Sequence, residues 1–315
     1  MRDGLAGPGG EMTAVGGRRI GSRGGGPLGG EGRWALLFLA PTLIGLTILS
    51  AGPVLATLAI SLTEWDLLRA PRLVGLDNFV QLASDDRFLK ALRNTAFYTV
   101  VSVPLGMLIS LFLALALNQA IRGIAWIRTA YFLPVVTSTI AVALVWQWIY
   151  SPDAGLLNQF IGLFGIPAQR WLSNPTLAMP SIVAMSVWQG LGTSIIIFLA
   201  GLQAIPGELL DAASVDGAGR WARFRNIVLP LLTPSIFFTG VLSLIDSFQV
   251  FDQIFVLSRP RPTDATITVV YFIYENGFKF FKMGYATAAS WVLFLIVAVF
   301  TAIYFRSQNR WVHYQ

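Results

Sequence analysis

The feature that most constrains this chain is a set of apolar runs long enough to cross a lipid bilayer. Crossing a hydrocarbon core of ~30 Å takes about 20 residues of helix. Six runs reach that length, at roughly 34–60, 94–117, 129–150, 177–201, 230–257 and 284–305. The first, second, third and last hold no Asp, Glu, Lys or Arg, and the fourth lies in an uncharged stretch from Trp171 to Gly207. Lipid offers the backbone no hydrogen-bond partners, so runs this long must be helices. A closed barrel would need strands of about 10 residues alternating apolar and polar, a pattern this sequence lacks. The expected fold is therefore all-α, a polytopic membrane protein with six transmembrane helices. Composition agrees: 55% of residues are hydrophobic and 12% charged, where a soluble domain carries about 25% charged.

The flanks give the domain organisation. Residues 1–33 are glycine-rich, carry Arg18, Arg19, Arg23 and Arg33, and have almost no large apolar side chains. They read as a disordered basic tail. A signal peptide is a poor fit, because the uncharged stretch from Trp34 to Thr63 is too long for its apolar region and no small-residue cleavage site follows. Residues 34–306 form the expected membrane domain and 307–315 a C-terminal tail. With the N-terminus inside, the inner segments hold twelve Lys/Arg and the outer segments ten, a weak bias, and the outer segments 61–93 and 258–283 are polar and mixed in charge, as small loops would be. Arg122 and Arg128 in the short 118–128 loop, with Arg306 and Arg310 after the last span, favour cytoplasmic termini. The net charge of +6 sits mostly beside the spans, so it marks a membrane border and not a nucleic-acid partner. Trp146 and Trp148 lie near a span end, where aromatic residues mark the lipid interface.

Several chemistries are excluded. The chain has no cysteine and one histidine, His313, which removes thiol catalysis, zinc clusters and His-based triads. None of the three lysines, Lys90, Lys279 and Lys282, follows a phosphate-cradling G-x-x-x-x-G-K-[ST] loop. No catalytic residue, metal site or bound cofactor is expected, and any ATP hydrolysis must be done by another polypeptide.

The most informative segment lies after the fourth run, from Pro206 to Pro230. Pro206 suits the first position of a helix, and Glu208 and Asp211 favour its positive N-terminal end. Leu209, Ala212, Ala213 and Asp216 share one helical side. Gly217 and Ala218 follow, and Gly217 permits the left-handed backbone that ends a helix. Arg220 to Val228 can form a second short helix leading to Pro230, where the next span begins. The paired alanines would let the first helix sit deep in another protein's groove, with the acids meeting arginines there. By spacing alone, an amphipathic loop lying on the membrane surface remains open.

This segment resembles the conserved cytoplasmic loop of binding-protein-dependent ABC importer permeases, E-A-A-x-x-x-G followed by nine residues and I-x-L-P. Asp211, Ala212 and Ala213 occupy the first three positions, Gly217 the glycine, and Ile227, Leu229 and Pro230 the close. Asp211 replaces the usual glutamate. The resemblance extends from about residue 35 onward. Val74-Gly-Leu-Asp-Asn-Phe79, Leu92-Arg-Asn-Thr95, Trp188-Gln-Gly-Leu-Gly192, Ala200-Gly-Leu-Gln-Ala-Ile-Pro206 and Met283-Gly-Tyr-Ala286 are similar to the carbohydrate-uptake branch, the maltose, glycerol-3-phosphate and multiple-sugar type. One departure is Arg259-Pro-Arg-Pro262, where the family has a glycine-rich turn.

The resemblance implies the type I importer permease fold in a prokaryotic inner or plasma membrane. It also implies a heterodimer with a second permease subunit, two ATPase subunits that bind ATP and Mg, and an extracytoplasmic solute-binding protein delivering a sugar, a related polyol or a polyol phosphate. It places the solute cavity along the fourth and fifth spans. There Ser186, Gln189, Gly190 and Thr193 form one polar line, Asp246, Gln249 and Gln253 another, and Phe248 could stack on a sugar ring. Polar bonding between helices would explain the same residues. Gln147 and the tryptophans beside it are further solute candidates. The competing functional classes are an ATP-independent channel or secondary carrier, for which this loop is not expected, and a membrane-anchored sensor, for which the chain lacks a soluble module.

Overall fold

The computed structural model describes residues 30–119, 123–258 and 264–312. The basic tail before residue 30, Arg122, the Arg259–Pro262 turn and His313 lie outside these residues. The chain divides into two units, one ending at Leu55 and one beginning at Ala56.

The first unit is helical from its first described residue: α1 (Gly30–Leu46) runs into a π-helical turn at Thr47–Ala51. The expected tail boundary at residue 33 therefore moves back to at least residue 30. This stretch is apolar on every side, and Trp34, Phe38 and Leu49 are among its exposed side chains. A helix with no polar face is made for lipid or a protein neighbour, not for water.

Helix α2 (Gly52–Ser61), within which the division falls, completes the first span, and in the second unit a short antiparallel pair follows, β1 (Thr63–Glu64) with β2 (Arg72–Leu73). The turn between them is fixed by Asp66, whose carboxylate accepts the N–H groups of Arg69 at 2.8 Å and Leu68 at 3.1 Å. Those bonds, Arg69 first, hold the Asp66 pKa below the ordinary carboxylate value. Helix α3 (Asp77–Ser84) leads to α4 (Asp86–Leu117). Asp85 caps α4 by accepting from the N–H of Arg87 and Phe88, so this helix starts two turns before the apolar run at residue 94. Asn174 caps the fourth span, α8 (Pro175–Gln203), in the same way, with Pro175 at its first position.

Two expected spans are broken. The third run forms α5 (Ile124–Val136) and α6 (Thr139–Ile149), whose span-forming part is bent by 109° at Thr137–Ser138. The break follows Pro134, which supplies no N–H to its helix. The described chain thus has five long apolar helices and this bent pair, six spans when the pair counts as one. The fifth expected span, 230–257, ends early. Helix α11 (Leu229–Phe248) stops, the chain breaks at Gln249–Phe251, and Asp252 begins a separate helix α12 (Asp252–Leu257). The carbonyl of Val250, freed by the break, accepts the Thr268 hydroxyl at 3.1 Å. Asp252 is therefore not a residue of the fifth span.

The stretch before the last span was expected to be a small polar loop, and it is a folded part of the core. Helix α13 (Val269–Tyr274) and a π-helical turn at Glu275–Lys279 bury Val269, Phe272, Glu275 and Asn276. Arg87 of α4 reaches into this segment. Its guanidinium donates to both carboxylate oxygens of Asp264, at 2.9 and 3.1 Å, and to Glu275. Lys279 meets the other oxygen of Glu275 at 3.3 Å. Asn94 adds bonds to the carbonyls of Asp264 and Ile267. The last span, α14 (Met283–Trp311), continues well past residue 306, so most of the expected C-terminal tail is helical.

Candidate functional site

Two features stand out from the packing: a polar cavity among the spans and an exposed helical segment between α8 and α11. The cavity holds about 610 Å³, within the range of small-molecule sites. Its walls come from α4, the bend between α5 and α6, α8, α11 and the Gln249–Gln253 break. Gln189 of α8 donates to the hydroxyl of Thr139 at the start of α6, at 3.2 Å, and Ser247 of α11 donates to Thr99 of α4 at 3.0 Å. These bonds fix the walls to one another. One side is open: Gly190, Thr193, Asp246 and Gln249 are exposed in the isolated chain.

Ser186, Gln189, Gly190 and Thr193 all line this cavity, as do Asp246, Gln249 and Gln253. Asp252 joins them from the start of α12, because the break after Phe248 turns the chain across the cavity end. Phe248 does not line it. That ring is 6% exposed and packs against Phe300, with centroids 5.8 Å apart. Phe248 is the last residue of α11 and, two positions from Asp246, lies on the opposite side of the helix, turned into the core, while Tyr98 and Phe251 are aromatic residues on the cavity wall. Trp146 instead packs edge-on against Trp188 at 5.5 Å.

Sequence reasoning missed the contribution of α4. Ser102, Gly106 and Ser110 sit four residues apart in an apolar helix and all line the cavity. That stripe of small residues was a readable signal. Thr239 of α11 is another omission. It is 1% exposed, lines the cavity, and its hydroxyl has no hydrogen-bond partner among the described residues.

The second feature is α9 (Gly207–Val215), with Pro206 at the N-cap, one position earlier than expected. Asp216 is the C-cap, and Gly217 takes φ = +78°, as the spacing suggested. The Ala218 N–H reaches the Ala213 carbonyl at 2.8 Å and the Gly217 N–H the Ser214 carbonyl at 3.1 Å. This pair of bonds is a complete Schellman ending. The chain then turns into α10 (Arg220–Arg223), and Arg223 donates to the Ser214 hydroxyl at 2.7 Å, tying the two arms of the bend. The expected separate second helix is instead continuous with the fifth span through a π-helical turn at Phe224–Val228, containing Ile227, and then Leu229 and Pro230. No residue of α9 is buried. Leu209 is 44%, Trp221 70% and Val215 89% exposed, which leaves an apolar surface beside Glu208, Asp211 and Asp216.

Helices of this length around a polar cavity, with one exposed joint between spans, define a multi-pass membrane permease. Over residues 86–312 the chain matches the family of binding-protein-dependent transport system inner membrane components, and it belongs to that family. It is 40% identical over 283 residues to the probable ABC transporter permease protein YesP of Bacillus subtilis (strain 168), covering 88% of this chain and 91% of the relative. A probable starch degradation products transport system permease protein, AmyD of Thermoanaerobacterium thermosulfurigenes, is 30% identical over 275 residues, 87% of this chain and 93% of that one. The sn-glycerol-3-phosphate transport system permease protein UgpA of Yersinia pestis is 35% identical over 243 residues, 77% of this chain and 82% of that one. Among solved structures, a bacterial alginate ABC transporter in complex with an alginate pentasaccharide-bound periplasmic protein superposes with a TM-score of 0.79 at 25% identity, covering 89% of this chain and 96% of the other. The fold is that of a type I ABC importer permease, and the chain is a multi-pass inner-membrane transport subunit.

Proposed function

We propose that this chain is the permease subunit of an ATP-driven importer that moves a sugar or related polyol, delivered by an extracytoplasmic binding protein. The observation that carries this reading is the pairing of a polar cavity among the spans with an exposed, rigidly ended helix between two of them. Relatives named for starch degradation products and glycerol phosphate, and a solved relative holding an alginate oligosaccharide, support the sugar class. Nothing in the comparisons favours an ATP-independent channel or carrier.

The mechanism follows from the connectivity. Helix α9 is joined through Gly217 and α10 to a single helix that ends at the cavity, beside Asp246. A displacement of α9 is therefore delivered along α11 to the cavity wall. Two separate ATPase subunits, which bind ATP and Mg, receive α9 in a groove; their closure tilts α11 and switches the cavity from inward-open to outward-open. Glu208, Asp211 and Asp216 face arginines of that groove, and Ala212 and Ala213 allow close approach. A second permease subunit covers the open side of the cavity near Gly190 and Thr193. Both termini of this chain lie in the cytoplasm, on the same side as α9.

The test is co-purification with transport. The chain is expected to emerge from its native membrane with a second permease and an ATPase, and to transport only with them. Full transport by the chain alone sinks the proposal. The cavity role has its own check. A Cβ at Gly190 would meet nothing within 4 Å, so the Gly190→Leu side chain starts in open space and takes up solute volume. Uptake is expected to fall by at least about tenfold at unchanged membrane abundance, and unchanged uptake would remove Gly190 from the solute path.

A further inference from the structure

The polar groups around the cavity are unequal in charge. The described residues lining it include two carboxylates, Asp246 and Asp252, and no lysine or arginine. The sequence makes this firm for the spans themselves: no Lys or Arg occurs between residues 171 and 219, 226 and 258, or 283 and 305. The remaining polar lining is hydroxyl and amide, from residues such as Ser102, Gln189, Thr193 and Ser243. Thr239 also lines the cavity, with a buried hydroxyl that has no partner among the described residues.

Building on the importer reading, we infer that the solute is an uncharged polyhydroxyl compound and that Asp246 is the residue that excludes anions. An ionised carboxylate is acceptor-only and can take two hydroxyl donors at once, which matches a vicinal diol of a neutral sugar. Hydroxyls and amides give and accept, and suit the rest of such a ring. An anionic sugar loses on both counts. Its carboxylate or phosphate finds no cation on these walls, and in a cavity of about 610 Å³ it comes within roughly 6 Å of Asp246. Like charges at that separation, at an effective dielectric constant near 20, disfavour binding by on the order of a hundredfold. The chain would thus differ in solute charge from the solved importer of the acidic polysaccharide alginate.

The experiment uses the complete purified transporter in nanodiscs, without the binding protein, so that upstream selection does not enter. It is incubated with an equimolar mixture of neutral malto-oligosaccharides and galacturonate oligosaccharides of matched length, and the retained species are weighed by mass spectrometry. The wild type is expected to retain neutral over anionic species by about a hundredfold. Asp246→Asn, which keeps shape and removes charge, should narrow that ratio by at least about tenfold, and Asp252→Asn should shift it in the same direction. Retention of anionic species by the wild type, a ratio unmoved by Asp246→Asn, or retention of no neutral species each overturns the inference. Recovery of an ATPase with the same preparation reports on the importer reading separately, so the two can fail independently.

Discussion

Replacing Gly217 with proline is expected to abolish ATP-driven uptake while leaving the protein in the membrane at normal abundance. Gly217 sits at φ = +78°, and its N–H is bonded to the Ser214 carbonyl at 3.1 Å. Proline fixes φ near −65° and has no N–H, so neither the turn nor that bond survives, at a cost of about 3 kcal/mol or more. No Cβ clash accompanies the change, since the space around Gly217 is open. The damage is therefore confined to the bend that joins α9 to the fifth span. Alanine at the same position strains the turn by roughly 1–2 kcal/mol and should leave partial activity. Asp211→Arg tests the same joint without touching the backbone, because Asp211 is exposed and the contact proposed for it is with a partner chain. Uptake by Gly217→Pro and Asp211→Arg is measured with labelled solute against membrane abundance, and normal uptake by both would show that this segment is no mechanical joint.

The largest stability effect is expected at Arg87. Glu275 is 2% exposed and is neutralised by Arg87 and Lys279, while Asp264 depends on Arg87 through two bonds. Arg87→Ala leaves that buried carboxylate with one partly exposed lysine and loosens the segment from Asp264 to Lys279. Removing one partner of a buried pair costs about 3 kcal/mol. The segment also holds the break after α11, through Thr268 and Val250, so the cavity end should loosen with it. Thermal unfolding in detergent, followed by size-exclusion chromatography, should show a clear drop for Arg87→Ala. The double variant Arg87→Ala with Glu275→Gln should recover part of it, since the stranded charge is gone. An unchanged midpoint for Arg87→Ala would mean that the ion pairs contribute nothing.

The parts of the fold that were legible in the sequence are those set by local chemistry. Uncharged runs of span length gave the helices, and Gly217 takes the left-handed turn expected of it. The parts that were not legible depend on contacts far away in the chain. Nothing between Phe248 and Asp252 is glycine or proline, so no local signal ends α11 there. The break stands because Thr268, eighteen residues on, takes the Val250 carbonyl. Phe248 was misplaced for a local reason: two positions from Asp246 on the same helix, it lies on the opposite side and packs against Phe300. The buried segment around Glu275 read as a polar loop because its charges are neutralised by Arg87, 188 residues away. In the cavity, the lines on the fourth and fifth spans could be read from spacing, and so could the stripe of small residues on α4, whose share in the site showed only once the walls were assembled.

The central claim is that α9 is where another polypeptide supplies the energy. The chain has no cysteine, so a single cysteine is a clean probe. Val215 is 89% exposed at the end of α9, and Phe164 is 70% exposed in the segment before α8. Each is changed to cysteine, and cross-linking is run in native membranes. The account predicts that Val215→Cys joins this chain to a subunit that hydrolyses ATP and that Phe164→Cys does not. No ATPase adduct at residue 215, or equal adducts at both positions, would contradict it.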